Sequence, residues 1–385
     1  MALTGHETGP PLISPAPAYG LLREAVRLLS AMTGDTGPRV EVDAAEILSG
    51  RAGLRGLRRA GLRSAGGTSR LLRTADGWCA VTLARPDDIE SVPAILGCAP
   101  VTDPWAALEE AVTHWPAAVF ADRAQLLGVP AAALPAAPGN APPWHTTRIS
   151  APTAATSMRG RLIVDLSSMW AGPLCARLLG LAGARVVKVE SLHRPDGARH
   201  GDTRFFEWLH SGHEFRGIDF RSTGGRAELS ELIDTADIVI EASRPRALAQ
   251  LGLAPEHREH HAGKVWMSIT GYGRADPARV AFGDDAAVAG GLVGRHGGEP
   301  AFCADAIADP LSGICAALAA VSAVRAGGGV LIDLSMRDTA AAFASAPALR
   351  HGDHPVRRGA DGWIVECPER RRSQTVLPPH ILQQG

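Results

Sequence analysis

From Arg159 onward, short runs rich in Val and Ile alternate with segments of helix length, and this alternation constrains the fold more than any other feature. Strands separated by helices must run parallel and be covered by those helices, because a tight turn cannot connect two parallel strands. The apolar runs predict strands at Leu162–Leu166, Arg185–Glu190, Arg216–Phe220, Asp237–Glu241, Val265–Ile269 and Val330–Leu334. Between them, helices are predicted at Gly172–Gly183, Gly225–Thr235 and Pro310–Arg325. The last places Leu311, Ile314, Cys315, Leu318 and Val321 along one face.

The rest of the chain is organised around a stretch rich in Pro and Ala, residues 130–157. It repeats helix breakers, has almost no apolar period, and is predicted to be a linker. Residues 1–129 before it read as a smaller α+β domain: a helix over Leu21–Met32, a short strand in ADGWCAVTLARPDD, and one or two helices over Trp105–Leu127. Residues 158–350 form the α/β domain. In 351–385, ADGWIVE repeats the ADGWCAV of Ala75–Val81, which predicts two related edge hairpins. The closing PERRRSQTVLPPHILQQG is predicted to be disordered or poorly packed.

Composition narrows the class of function. Lys plus Arg number 39 against 40 Asp plus Glu, so no large field attracts nucleic acid or an anionic membrane, and small-molecule chemistry is the expectation. The six cysteines are far apart, without a CxxC pair, and read as reduced thiols. With no basic start followed by an apolar block, the chain is expected to be cytoplasmic. His257, His260 and His261 could share a helical face, but solvated histidines are the expected reading and no metal is expected.

RLIVDLSSMWAGPLCARLLGLAGARVVKVE reads as strand, turn, helix and second strand ending at Glu190, the outline of a dinucleotide-binding unit. Its turn, Ser167 to Pro173, lacks the GxGxxG spacing that admits a pyrophosphate, which disfavours a nicotinamide enzyme. The same segment resembles the opening of the class III CoA-transferases, D-L-S/T-x-x-x-A-G-P followed by G-A-x-V-I-K-V-E. The resemblance continues in family order through TADIVIEASRPRALAQLGL, SITGYG, FGDDAAVAGGLV, DAIADPLSGICAALAA and GGGVLIDLSMRDTA. It spans Arg159 to Ala340.

The resemblance implies a Rossmann-like domain joined to a smaller α+β domain, an interlocked homodimer, and acyl-CoA and a carboxylic acid as substrates, with no permanently bound cofactor. It implies that Asp309, in Ala306-Ile307-Ala308-Asp309-Pro310, is the nucleophile, with Asp284 or Asp285 in support. Spacing alone reads Asp309 as a helix N-cap with Pro310 at the first helical position, and the two roles are compatible. Ser168, Met169, Trp170 and Ala171 match the family segment along the CoA path, Lys188 and Glu190 match its K-x-E, and Arg221 stands where the family has a lysine.

Ser191 replaces the basic residue that usually follows the glutamate, leaving Arg194 or Arg199 as the alternatives for phosphate. Ala242-Ser243 replaces Asn-Phe and Gln250 replaces arginine. Two glycine-rich turns are candidates to cover the thioester, Ser64-Ala65-Gly66-Gly67 and Gly290-Gly291. The amino-terminal stretch resembles the family's small domain in a rearranged order. The racemase branch carries a histidine where this chain has Gly283, which favours transfer. An acyl-CoA racemase and a non-catalytic CoA-binding protein remain as alternatives.

Overall fold

The computed structural model describes residues 2–13, 17–154, 156–347 and 354–379. Its strands, in chain order, are β1 Ser69–Arg73, β2 Trp78–Thr82, β3 Ala131–Ala133, β4 Trp144–Arg148, β5 Leu162–Asp165, β6 Arg185–Ser191, β7 Glu214–Ile218, β8 Ile238–Glu241, β9 Val265–Thr270, β10 Gly294–His296, β11 Glu299–Ala301, β12 Val330–Ser335, β13 Val356–Gly359, β14 Gly362–Cys367 and β15 Arg372–Thr375.

Seven of these form one sheet in the order β4-β12-β9-β8-β5-β6-β7, parallel except for β4, which runs antiparallel to β12. Taken from β7, the parallel strands follow the doubly wound order 3-2-1-4-5-6, so the chain reverses direction across the sheet between β5 and β8. A crevice opens at the carboxyl ends of such a pair. The central strands are buried on both faces, as their unbroken apolar runs require. The six predicted strands are all present; the third begins two residues earlier, at Glu214.

The Ala308–Arg325 helix runs through the core. Expected to be apolar along one face, it is buried nearly all round, with Ala, Gly and Ser admitting neighbours on every side. A Cβ on Gly313 would meet the Ala171 carbonyl oxygen at 2.9 Å and Leu174 at 2.8 Å, so this helix lies directly against Ala171–Leu181, the helix that follows β5. Among the described residues it alone is long and apolar enough to cross a membrane, and its burial identifies it as a core element.

Three expectations about the organisation need correction. The stretch 130–157 is not a featureless linker: it contributes β3 to the small sheet β1-β2-β3 and β4 to the large one. Residues 1–129 do not form one small domain. The helices Ala18–Gly34 and Ala44–Leu54 bury Leu22, Leu29 and Ile47 in the same core as the Ala308–Arg325 helix, and only the part around β1 and β2 surrounds a core of its own with Phe120, Ile95 and Leu108. In the carboxy-terminal stretch, Arg372–Thr375 pairs with β14 rather than lying unstructured; the last six positions fall outside the described residues.

The repeated ADGW forms two hairpins of the same design. Arg73 pairs across the strands with Trp78 and Arg358 with Trp363, each guanidinium lying over the indole, at 5.4 and 5.9 Å from its centre.

Candidate active site

Asp309 occupies the first turn of the Ala308–Arg325 helix, one residue inside it; Ile307 is the N-cap, so the expected capping role is not the one the structure shows. The chain reaches this turn through two alanines in left-handed backbone conformation, Ala304 (φ 58°) and Ala306 (φ 44°). Such conformations cost non-glycine residues roughly 1–3 kcal/mol each and persist only where surrounding bonds impose them. Here Ala304 N–H donates to Thr4 Oγ1 at 3.1 Å, Ala306 N–H donates to Asp284 Oδ1 at 3.0 Å, and the Ala306 carbonyl accepts the Asp309 N–H at 2.9 Å. Asp309 is half-buried as a residue, whereas Asp284, Asp285 and Asp305 around it are buried.

Asp284 and Asp285 lie in the first turn of the Gly283–Ala289 helix. Asp285 accepts the Phe282 N–H at 2.9 Å and the Thr82 hydroxyl at 3.1 Å. Asp284 Oδ2 and the Ser69 hydroxyl oxygen are hydrogen-bonded at 2.9 Å. The backbone of Gly283 closes on Asp309: a Cβ at position 283 would collide with Asp309 Oδ2 and with the Ala306 carbonyl. This close approach, rather than backbone conformation, is what requires glycine there.

A group absent from the sequence expectations completes the cluster. Arg51, from the Ala44–Leu54 helix, holds Asp305 through two parallel hydrogen bonds of 2.8 and 2.6 Å, and its guanidinium lies 5.1 Å from the centre of the Trp170 ring. The Ser64–Gly67 turn lies beside this pair, with the Cβ direction of Gly66 facing Arg51 Nη2 at 3.5 Å and Asp305 Oδ1 at 3.9 Å. Of the two glycine-rich turns, this one reaches the cluster. Gly290 packs against Ala340, Ala341 and Arg337, and Gly291 against Pro138.

Three carboxylates, Asp284, Asp305 and Asp309, therefore face one guanidinium, Asp285 lies behind them without a cation, and the balance shows in their acidity. Burial raises Asp309 to about 7; Arg51 and the Gly283 N–H pull it down, and Asp284 and Asp305 push it up. Burial raises Asp285 to about 8 against the opposing bonds from Phe282 and Thr82. Asp284 is raised as well, by burial first and then by Asp305. Burial would lower Arg51, but the charge and hydrogen bonds of Asp305 outweigh it and the guanidinium is held more firmly protonated.

The residues expected along the CoA path divide. The turn after β5 exposes Ser168 and Met169, with Met169 left-handed (φ 74°), and buries Trp170 and Ala171. Trp170 packs edge-on against Phe205 and meets Arg51, which joins this turn to the acid cluster. Lys188 was expected to bind CoA and does not face solvent at all. It is fully buried in β6, donating to the Ser167 carbonyl and lying 3.2 Å from Asp196 and 3.7 Å from Asp165. Its position in the middle of a doubly covered parallel strand explains this. Asp196 Oδ1 in turn accepts the Met169 N–H at 3.0 Å, so Lys188 supports the turn from beneath.

Arg199 is exposed, bonds to Glu190 at 2.6 Å and lies 4.3 Å from the centre of the Phe206 ring; Arg221 is exposed on the turn after β7. His257 is in a short 3-10 turn, His260 bonds to the Pro255 carbonyl, and His261 bonds to the Ala236 carbonyl, so the three are not on one helical face.

Residues 158–364, more than half of the chain, match the model of a family described as CoA-transferase family III. The chain is 28% identical to the succinate–glutarate CoA-transferase of Agrobacterium fabrum over 54% of its own length and 58% of that protein. It is 31% identical to the succinyl-CoA–D-citramalate CoA-transferase of Chloroflexus aurantiacus, over 45% and 48%. It is 28% identical to a formyl-CoA:oxalate CoA-transferase of Escherichia coli, over 48% of each. The chain thus spans about half the length of the curated relatives it matches. A hypothetical protein of Mycobacterium tuberculosis aligns structurally with a TM-score of 0.48 and 26% identity, over 57% of this chain and 65% of that one.

Proposed function

Because the chain belongs to CoA-transferase family III, we propose that it transfers coenzyme A from an acyl-CoA donor to a carboxylic acid, with Asp309 as the nucleophile. The observation that carries this reading is the construction around Asp309. Two left-handed alanines and the close backbone of Gly283 fix Asp309, the one half-buried residue among the four acids, in a cluster whose other acids are buried and hydrogen-bonded. The relatives named above act on succinate, glutarate, D-citramalate and oxalate, all carboxylic acids, which supports the same class of acceptor here.

In this reading an Asp309 oxygen attacks the thioester carbonyl, the carbon–sulfur bond breaks, and CoA leaves as thiolate, giving an acyl-aspartyl anhydride. The thiolate attacks the Asp309 carbonyl, releasing the donor acid and forming an aspartyl-CoA thioester. The acceptor carboxylate attacks that thioester, and the thiolate then takes the acceptor's acyl group from the second anhydride, which frees Asp309. Splitting the transfer this way conserves the free energy of the thioester.

Arg51 lowers the pKa of Asp309 and so favours the ionised nucleophile. The Ser64–Gly67 turn is the better-placed source of N–H donors for the developing oxyanion. Met169 and Ser168, exposed at the switch between β5 and β8, are the proposed CoA contacts, with Arg199 and Arg221 as phosphate partners. A reducing cytoplasm and a homodimer belong to the same reading.

Gly283 argues against racemisation, because it supplies no titratable side chain where the racemase branch has the histidine of a two-base proton shuttle. Asp309→Asn keeps the shape of the side chain and removes its nucleophilicity, so transfer should fall by at least roughly 10³-fold while thermal unfolding stays cooperative. Undiminished transfer by a folded Asp309→Asn protein would refute the assignment.

A further inference from the structure

Behind Asp309, two carboxylates are joined through two hydroxyls. Asp284 Oδ2 lies 2.9 Å from Ser69 Oγ, Ser69 Oγ lies 2.9 Å from Thr82 Oγ1, and Thr82 Oγ1 lies 3.1 Å from Asp285 Oδ1. Each of these three contacts needs one hydrogen between its oxygens. The two hydroxyls supply two, and ionised carboxylates supply none. Were both aspartates ionised, Ser69 and Thr82 would each point their hydrogen at a carboxylate and meet each other lone pair to lone pair.

We propose that Asp284, Ser69, Thr82 and Asp285 hold one proton in common, carried along this chain of hydrogen bonds behind Asp309. In one end state the proton is on Asp284 Oδ2, which donates to Ser69; Ser69 donates to Thr82, and Thr82 donates to the Asp285 carboxylate. In the other, Asp284 has given its proton to Ser69, Ser69 has passed its own to Thr82, and Thr82 has passed its own to Asp285. Every bond direction is then reversed, and no atom is gained or lost.

A second observation points the same way. Asp285 Oδ2 is buried without a hydrogen-bond partner among the described residues, and the whole residue is inaccessible to solvent. A full negative charge there would have one of its two oxygens unsolvated, which is costly in a dry interior. The groups facing the pair reinforce this. Asp305, Asp309, Arg51 and the Ser64 hydroxyl face Asp284, while Tyr272 and Cys79 face Asp285 and add no cation to it. The acidities agree, with Asp284 raised and Asp285 raised to about 8.

The shared proton halves the negative charge behind Asp309 at neutral pH. That consequence rests on the nucleophile reading; the shared proton itself does not, and the test needs no turnover. Infrared spectra are taken of the Asp309→Asn protein with isotope-labelled aspartate at neutral pH, where an ordinary aspartic acid is ionised. The expected result is a neutral-acid carbonyl band from aspartate that disappears when Asp284 and Asp285 are both replaced by Asn. Thr82→Val, which retains shape and cuts the chain, should shift that band, and Thr82→Ser should restore its position. Absence of the band in Asp309→Asn protein overturns the proposal, as does a band unmoved by Thr82→Val. Should the double variant fail to fold, the Val and Ser pair decides alone.

Discussion

Two buried charge clusters lie on either side of the Trp170 turn, and they are built on opposite principles. Beneath the turn, Lys188 lies between Asp165 and Asp196, all three buried, and the hydrogen bonds of this group go to the backbone of Ser167, Met169 and Ala198 and to the Ser167 hydroxyl. On the far side, Arg51 answers Asp305 while Asp284, Asp285 and Asp309 are left with hydroxyls and backbone N–H groups. The first cluster has a cation at its centre and shapes a turn. The second is short of cations and holds raised carboxyl pKa values next to solvent, the condition under which acids become reactive at neutral pH. Buried charge alone therefore does not separate the two clusters; the balance of charge does.

Five measurements test that contrast. The largest effect on stability should come from Lys188→Met, which leaves two carboxylates buried without their cation. Urea unfolding should show a loss of about 3–5 kcal/mol, and a loss under 1 kcal/mol would mean the lysine is not the structural element described. Gly283→Ala should act on chemistry instead. Its methyl group pushes Asp309 or the Ala306 carbonyl aside, and a displacement on the order of 1 Å lowers kcat by about 100-fold with cooperative unfolding retained; unchanged kcat would detach Gly283 from the site.

Acidity gives the third test. Only the ionised Asp309 is nucleophilic, so kcat/KM should rise with pH through a limb near the value of about 7 set by burial. For stability the sign is opposite. Asp285, raised to about 8, binds its proton more tightly folded than unfolded, so its contribution is fully present below the ordinary aspartate range and is lost as pH rises towards 8. Unfolding measured across that range should show a flatter decline in Asp285→Asn than in the parent chain. The smallest effect belongs to Arg199→Ala, which removes an exposed ion pair with Glu190. It should change stability by less than about 1 kcal/mol, while a weakened KM for acyl-CoA would support its phosphate role.

The middle of the sheet was legible because its central strands are buried on both faces and so leave continuous apolar runs in the sequence. β4 was not, since as an exposed edge strand, Trp144-His145-Thr146-Thr147-Arg148, it has no apolar pattern to read. β3 is three alanines among prolines, and only pairing with β2 makes it a strand. Asp309 could be located through its surrounding motif, but neither its raised pKa nor its displacement from the N-cap could be read, because both depend on packing.

Arg51 was out of reach for a different reason. It lies 254 positions from Asp305 in the chain and is one of many arginines whose spacing carries no signal. The amino-terminal helices gave no sign that they would join the main core: the apolar period predicted the first, and the second, Ala44–Leu54, was not predicted. Lys188 shows the reverse error, a residue whose motif match suggested a ligand contact while its place in a covered strand assigned it to the interior.

As the nucleophile, Asp309 would carry its carboxylate into a covalent bond with the acyl group or with CoA. Incubating the protein with a panel of acyl-CoAs and hydroxylamine, then mapping the modified peptide by mass spectrometry, tests this most directly. A hydroxamate should form at Asp309 only when a competent acyl-CoA is present. Transfer that proceeds with Asp309 unmodified, or a hydroxamate formed instead at Asp284, Asp285 or Asp305, would contradict it.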